Sequence, residues 1–179
     1  MFVMLLWVLL KSGTNFLEKK MDKKDLHNQI ISQLEADHSL LMQAAKKAHA
    51  AATHSENIPD NKYETLGLEA SYLAQGQANR AQEIQLAIQV FRDLKLQTFT
   101  DDSPIRLSAL VALKDGGGRT RMVFLGPVAG GLKLEFDGDE VLVITPASPL
   151  GRELIGKQCG DFVEIESGAV REYQIVSVC

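Results

Sequence analysis

Cysteine is scarce in this chain: Cys159 and Cys179 are the only two, and they form no CxxC pair. So few thiols in a chain of this size exclude a secreted disulfide scaffold and leave reduced cysteines of a cytoplasmic protein as the expectation. Histidine is equally restricted. His27, His38, His49 and His54 all lie in the first third, far from both cysteines, so the set of about four closely spaced ligands that structural zinc requires is missing. No metal or cofactor of its own is expected. An excess of basic charge is also lacking: 19 Lys and Arg stand against 23 Asp and Glu, for a net charge of -4. Unguided binding to nucleic acid needs clustered cations to neutralise phosphates, so any such contact must be local. Long apolar runs are absent apart from MFVMLLWVLL at residues 1–10. That run is short of the roughly 20 residues a spanning helix needs. No basic segment precedes it and no clear small-residue cleavage site follows, as a signal peptide would require. Residues 1–20 are therefore expected to be a disordered tail or an over-extended start, with Met21 opening a monomeric protein that has no membrane partner; a membrane anchor is the less favoured alternative.

Glycine and proline are missing from Leu26 to Ala52, and apolar or small residues recur there at steps of four and three. Ile30, Leu34, Leu41, Ala44, Ala48 and Ala51 carry the pattern, with Asp37 as an exception. This is a coiled-coil period. Its side chains shrink to alanine toward His54, which lets a partner helix approach closely. Pro59 interrupts the pattern inside THSENIPDNKYE, where Ser, Asn, Asp and Pro cluster as turn residues do. Helical character resumes by Lys62 and runs to about Leu96, with Ile84, Ala87, Phe91 and Leu94 at three-four-three spacing. Gly67 and Gly76 weaken this second helix by about 1 kcal/mol each relative to Ala. The expected unit is an antiparallel coiled-coil hairpin over residues 21–99 with its tip at 53–62. Tyr63 and Tyr72 are expected to pack in its seam rather than to stack on a base.

The turn DDSPI at 101–105 marks the boundary. Beyond it the period becomes alternating, with aliphatic and β-branched residues between glycine-rich turns. Strands are expected at Leu107–Leu113, Arg119–Leu125, Leu132–Phe136, Val141–Ile144, Phe162–Ile165 and Tyr173–Val178. DGGGR at 115–119 reads as a hairpin turn, and the acidic group Asp137, Asp139 and Glu140 as another turn rather than a cation site. One short helix is expected after Ser148, an N-cap followed by Pro149 at the first helical position. Leu150, Leu154 and Ile155 supply its buried side and Gly156 its stop. The fold class is thus α+β, with a small antiparallel sheet and one helix over residues 104–179.

Residues 148–165, SPLGRELIGKQCGDFVEI, followed by REYQIVSV at 171–178, resemble the end of the C-terminal domain of the bacterial Gre transcript-cleavage factors. The signature is a Ser-Pro helix start, Arg, Leu-Ile-Gly-Lys, and Gly-Asp before a strand. Ser148, Pro149, Arg152, Leu154, Ile155, Gly156, Lys157, Gly160 and Asp161 meet it. The resemblance implies an FKBP-like β domain that docks on the rim of the RNA polymerase secondary channel, with Ser148, Pro149, Arg152, Gly160 and Asp161 as docking residues. Ser55 to Asn57 matches the centre of the family's tip motif, Asp-Leu-Ser-Glu-Asn. The Asp position is Thr53 in this chain, and Asp60 stands four residues beyond Glu56.

Phosphodiester hydrolysis in a polymerase uses two metal ions, one at the attacking oxygen and one at the leaving oxygen. An external carboxylate completes the shell of a weakly held Mg²⁺, which favours carboxylate and water ligands. The resemblance assigns that part to Glu56, with Asp60 as a second acid and Ser55 and Asn57 supporting the loop. The Mg²⁺ belongs to the polymerase. Acids in loops are more often solvated turn residues. Lys46 and Lys47 lie one to two turns below the tip, either facing the nascent RNA 3′ end or forming a solvated helix face. The chain then reads as a cleavage-stimulating elongation factor or as a non-cleaving secondary-channel regulator. Prolyl isomerase activity is set aside: it requires an aromatic-lined pocket, whereas Phe124, Phe136, Phe162 and Tyr173 fall in strand-like runs and read as core.

Overall fold

The computed structural model describes residues 22–53, 66–167 and 169–179. Two compact units divide the chain: His27–Lys95 with Pro127–Ala129, and the remainder.

The helical unit is built on α1 (Lys23–Thr53) and α2 (Leu66–Arg92). Asp22 starts α1, its carboxylate accepting from the Lys24 N–H at 2.9 Å, so an otherwise orphaned helix donor is satisfied. The two helices run antiparallel. His27 near the start of α1 meets Phe91 near the end of α2, where its Nε2–H donates to the Phe91 carbonyl at 2.8 Å. The same carbonyl, in the last turn of α2, also accepts from the Leu94 N–H at 3.1 Å. Arg92 pairs with Glu35 across the helices at 2.6 Å. Ile30, Leu34, Ala45 and Ala48 are buried on α1, and Ala81, Ile84, Ile88 and Phe91 on α2.

The seam therefore follows the predicted period and narrows to alanine, with three departures. Ala51 is exposed. Tyr72 is 70% exposed, because the inward row of α2 runs through Ala70, Ala74 and Ala81 and leaves position 72 on the outer face. The second helix ends at Arg92 rather than near Leu96, closed by a short Leu94 N–H to Phe91 carbonyl bond of 3.1 Å. Tyr63 and Gly67 have no described side-chain environment. A Cβ added at Gly76 meets nothing within 4 Å, so Gly76→Ala is expected to stabilise the helical unit by about 1 kcal/mol through helix propensity alone. Denaturant unfolding followed at 222 nm checks this; an unchanged or lowered midpoint would refute it.

The second unit is a six-stranded sheet in the order β3-β4-β2-β1-β6-β5. Its strands are β1 (Leu110–Asp115), β2 (Thr120–Leu125), β3 (Lys133–Phe136), β4 (Asp139–Ile144), β5 (Phe162–Ser167) and β6 (Ala169–Val178). All pairings are antiparallel except β2 with β4, which is parallel. The sheet is thus mostly antiparallel, as expected, with one parallel pair. β3 folds back on β4, so β4 lies next to β2 while running in the same direction. Asp137 (φ 55°) and Gly138 (φ 86°) make the two-residue turn of that hairpin, where positive φ at both positions matches strand twist. Of the acidic group read as a turn, only Asp137 lies in it; Asp139 and Glu140 open β4, where they pair with Phe136 and Glu135.

β1 begins at Leu110 rather than Leu107, because Ser108 adopts φ 71° and is fully buried, its hydroxyl accepting from the Gln97 N–H at 2.8 Å. Strict alternation also fails in the central strands: Leu110, Val111, Ala112 and Leu113 are all fully buried. Both faces of the middle of the sheet are covered, whereas edge strand β3 keeps an alternating pattern. One face carries a core of Ile105, Val111, Leu113, Val123, Leu154 and Ile175. In the same unit Lys23 donates to the Gln97 carbonyl and lies 4.6 Å over the Phe99 ring. Burial lowers its pKa, opposed by the Coulombic influence of Cys179.

The short helix α3 (Pro149–Leu154) forms as predicted, with Leu150 and Leu154 buried. Ile155 is 46% exposed instead of buried. It is the C-cap residue, at φ -59° and ψ 127°, and so leaves the helical phase that would turn it inward. Gly156 follows at φ 82°, the left-handed conformation of a helix stop.

Candidate functional site

The predicted site residues fall in two places. Ser55, Glu56, Asn57 and Asp60 lie outside the described residues. What leads to them is described: α1 runs 31 residues to Thr53, a rise of roughly 46 Å at 1.5 Å per residue. Thr53, at the position where the Gre motif has Asp, is spent on the helix itself. Its Oγ1 donates to the His49 carbonyl at 3.0 Å. Lys46 and Lys47 are both exposed. Lys46 lines an open groove of about 440 Å³ between the helices, with Met42, Ala45 and His49 on one side and Ala74 and Ala78 on the other. The alanines make that groove, since small side chains hold the helices close without filling the surface above them.

In the sheet unit, Ser148 is half-buried and has a structural task. Its Oγ accepts from the Gly151 N–H at 3.0 Å and donates to the Thr145 carbonyl at 2.7 Å. Gly160 adopts φ 93° and its N–H reaches the Ile175 carbonyl at 2.8 Å. Asp161 accepts from the Gln158 N–H at 2.9 Å through its side chain, and from Ile175 N–H at 2.9 Å through its backbone. These three shape the surface; Pro149 and Arg152 present it. They line an open cleft of about 460 Å³ with Glu153, Glu164, Ile165 and Glu166.

A residue the sequence reading passed over is Gly151. A Cβ there would stand 2.0 Å from the Thr145 carbonyl oxygen, so the Ser-Pro helix start depends on it sterically. No local signal marks it, because the obstructing carbonyl comes from the preceding loop. Phe162, read as core, is 53% exposed, since it opens an edge strand and points off the covered face.

No protein-family model matches the sequence, and no curated protein matches it. The chain is similar to solved structures of GreA-related factors. GreA factor homolog 1 (Gfh1) of Thermus thermophilus is 23% identical, with 86% of this chain and 94% of that chain covered at a TM-score of 0.36. Gfh1 of Thermus aquaticus is 22% identical over 84% and 92% at 0.36. A transcription elongation factor GreA/GreB from Nitrosomonas europaea is 17% identical over 53% and 78% at 0.33. Among the described residues no helix is long and apolar enough to cross a membrane, and no group of three His, Cys, Asp or Glu is placed to hold a metal ion.

Proposed function

We propose that this chain is an accessory factor of bacterial RNA polymerase, not itself an enzyme, which enters the secondary channel and stimulates cleavage of backtracked nascent RNA. The observation that carries this reading is the pairing of two features in one chain. Two antiparallel helices are linked in sequence by the segment that carries Glu56 and Asp60, and the residues of the Ser148–Asp161 signature lie on a folded sheet unit. A hairpin this slender buries little core per residue, and its value lies in reach. Glu56 is the carboxylate offered to the polymerase's second Mg²⁺, with Asp60 beside it in sequence, and Ser55 and Asn57 hold the loop. Lys46 and Lys47 face the RNA 3′ end or the channel backbone. Pro149 and Arg152 make the docking contact that Ser148, Gly160 and Asp161 shape.

Thr53 favours a second reading. The hydroxyl that replaces the family carboxylate is bonded to the His49 carbonyl and brings no negative charge to the tip. A hairpin with one fewer acid fits a secondary-channel regulator that binds without promoting cleavage.

RNA cleavage in a purified backtracked elongation complex, titrated with this protein at fixed Mg²⁺, separates the two. Protein-dependent shortening of the RNA is expected, with Glu56→Gln reducing its rate at least about tenfold, or roughly 1.4 kcal/mol of transition-state stabilisation. Binding without shortened RNA would leave the regulator reading. Absence of binding would sink both.

A further inference from the structure

Three arginines converge on one face of the sheet. Asp115 lies opposite Tyr173 across β1 and β6, and its N–H donates to the carbonyl of Arg119, the residue just before β2. Arg121 lies opposite Leu113, which lies opposite Ile175. Arg171 precedes Tyr173 by two on β6 and therefore shares its face, because side chains alternate along a strand. This is the face that carries Leu113, Tyr173 and Ile175 in the core. At its end the apolar surface gives way to an open cleft of about 730 Å³, lined by these arginines, Asp115, Glu172, Tyr173 and Thr120 and by the glycines of the turn.

The charges in the cleft are unequally committed. Asp115 accepts from the backbone N–H groups of Gly117 and Arg119 and from Arg119 Nε, each at 2.9 Å. Those bonds, Arg119's foremost, hold its carboxyl below the usual range, and its negative charge is answered within the turn. The Arg121 guanidinium lies 5.9 Å over the Tyr173 ring. Among the described residues no carboxylate forms an ion pair with Arg121 or Arg171. Glu172, the other acid at the rim, alternates onto the opposite face. In a chain of net charge -4, this is a local basic site with the size of a small-molecule pocket, roughly 300–1,000 Å³.

Guanidinium matches phosphate through paired N–H donors. The backbones of Arg121 and Arg171 are two strand spacings apart, about 10 Å, and four residues along, roughly 13 Å. A ligand engaging both must offer anionic oxygens at more than one point, which a chain of phosphates does and a single carboxylate does not. We propose that the cleft ringed by Arg119, Arg121 and Arg171 binds the polyphosphate group of a small ligand, either free polyphosphate or the phosphate chain of a nucleotide.

The test is calorimetric titration of the full chain with inorganic tripolyphosphate, a nucleoside triphosphate and hexaglutamate, at low and moderate salt. Both phosphate ligands are expected to bind, hexaglutamate at least tenfold more weakly, with affinity falling as salt rises. The double variant Arg121→Gln/Arg171→Gln should weaken phosphate binding at least tenfold with an unchanged melting midpoint, while Arg80→Gln on the helical unit leaves it unchanged. If the double variant melts lower, Arg171→Gln alone serves, with a several-fold loss expected. Tighter binding of the nucleoside triphosphate identifies a nucleotide as the source, and equal binding identifies free polyphosphate. No phosphate binding, equal binding of hexaglutamate, or full binding by the arginine variants would overturn the proposal.

Discussion

Gly151→Ala is expected to destabilise the sheet unit by about 3 kcal/mol or more, the range in which a side chain forced into a packed site moves backbone. The added methyl would sit 2.0 Å from the Thr145 carbonyl oxygen and 2.9 Å from Ser148 Oγ. Neither neighbour can retreat cheaply. The Thr145 carbonyl already accepts from the Ser148 N–H at 3.0 Å and from its hydroxyl at 2.7 Å, and Ser148 Oγ is the cap of α3. Relief requires α3 to lift, which uncovers Leu150 and Leu154 from the core. For a unit of this size the loss corresponds to a fall in melting temperature of roughly 12–24 °C. Calorimetry with hydrogen exchange locates it: amides of β1 and β6 should lose protection while those of α1 and α2 keep theirs. A midpoint within about 2 °C of the parent would show that the loop at Thr145 yields and that the argument is wrong. Because Pro149 and Arg152 are carried on α3, the same substitution is expected to abolish polymerase docking under the proposed function.

Phe91→Ala should be comparably damaging to the other unit, at about 3–5 kcal/mol for removing a fully buried aromatic ring. Phe91 is 0% exposed, and its ring lies 6.1 Å from that of His27 at a tilt of 46°. Elsewhere the seam between α1 and α2 is filled by alanines and a few aliphatics, so no neighbour is large enough to take up the vacated volume. Helix signal at 222 nm should melt early while the sheet unit retains its own transition. Leu86→Ala, at a position 67% exposed, is the control and should stay within about 0.5 kcal/mol. Under the proposed function, Phe91→Ala is expected to lose stimulation in the cleavage assay even with Glu56 intact, because a frayed pair of helices would no longer carry Glu56 to the polymerase. Full activity together with an unchanged melt would refute the dependence on hairpin rigidity.

Much of the architecture was legible because it is written in short-range terms. Steps of three and four between Ile30 and Ala48 define a helical face whatever it packs against, and Ser148-Pro149 encodes a cap and first turn within two residues. Asp137-Gly138 encodes a turn in the same way. The candidate tip was legible only as composition and resemblance. Glu56 and Asp60 are acids in a turn-rich segment, and nothing in their spacing distinguishes a metal ligand from a solvated loop.

What the sequence determined by itself is therefore the list of elements, their periods, their caps and the overall scarcity of cation and thiol. Tertiary structure decided the rest, because it depends on residues that are neighbours only after folding. β4 pairs in parallel with β2 because a hairpin intervenes, which no property of either strand announces. Leu110 to Leu113 lose their alternation because central strands are covered on both sides. Gly151 is indispensable because a carbonyl six residues earlier is folded against it, and Arg119, Arg121 and Arg171 form one cleft because the register of β1 with β2 and β6 sets them around Tyr173. Local sequence fixes dihedral preference and periodicity, while proximity between distant residues is a property of the packed chain.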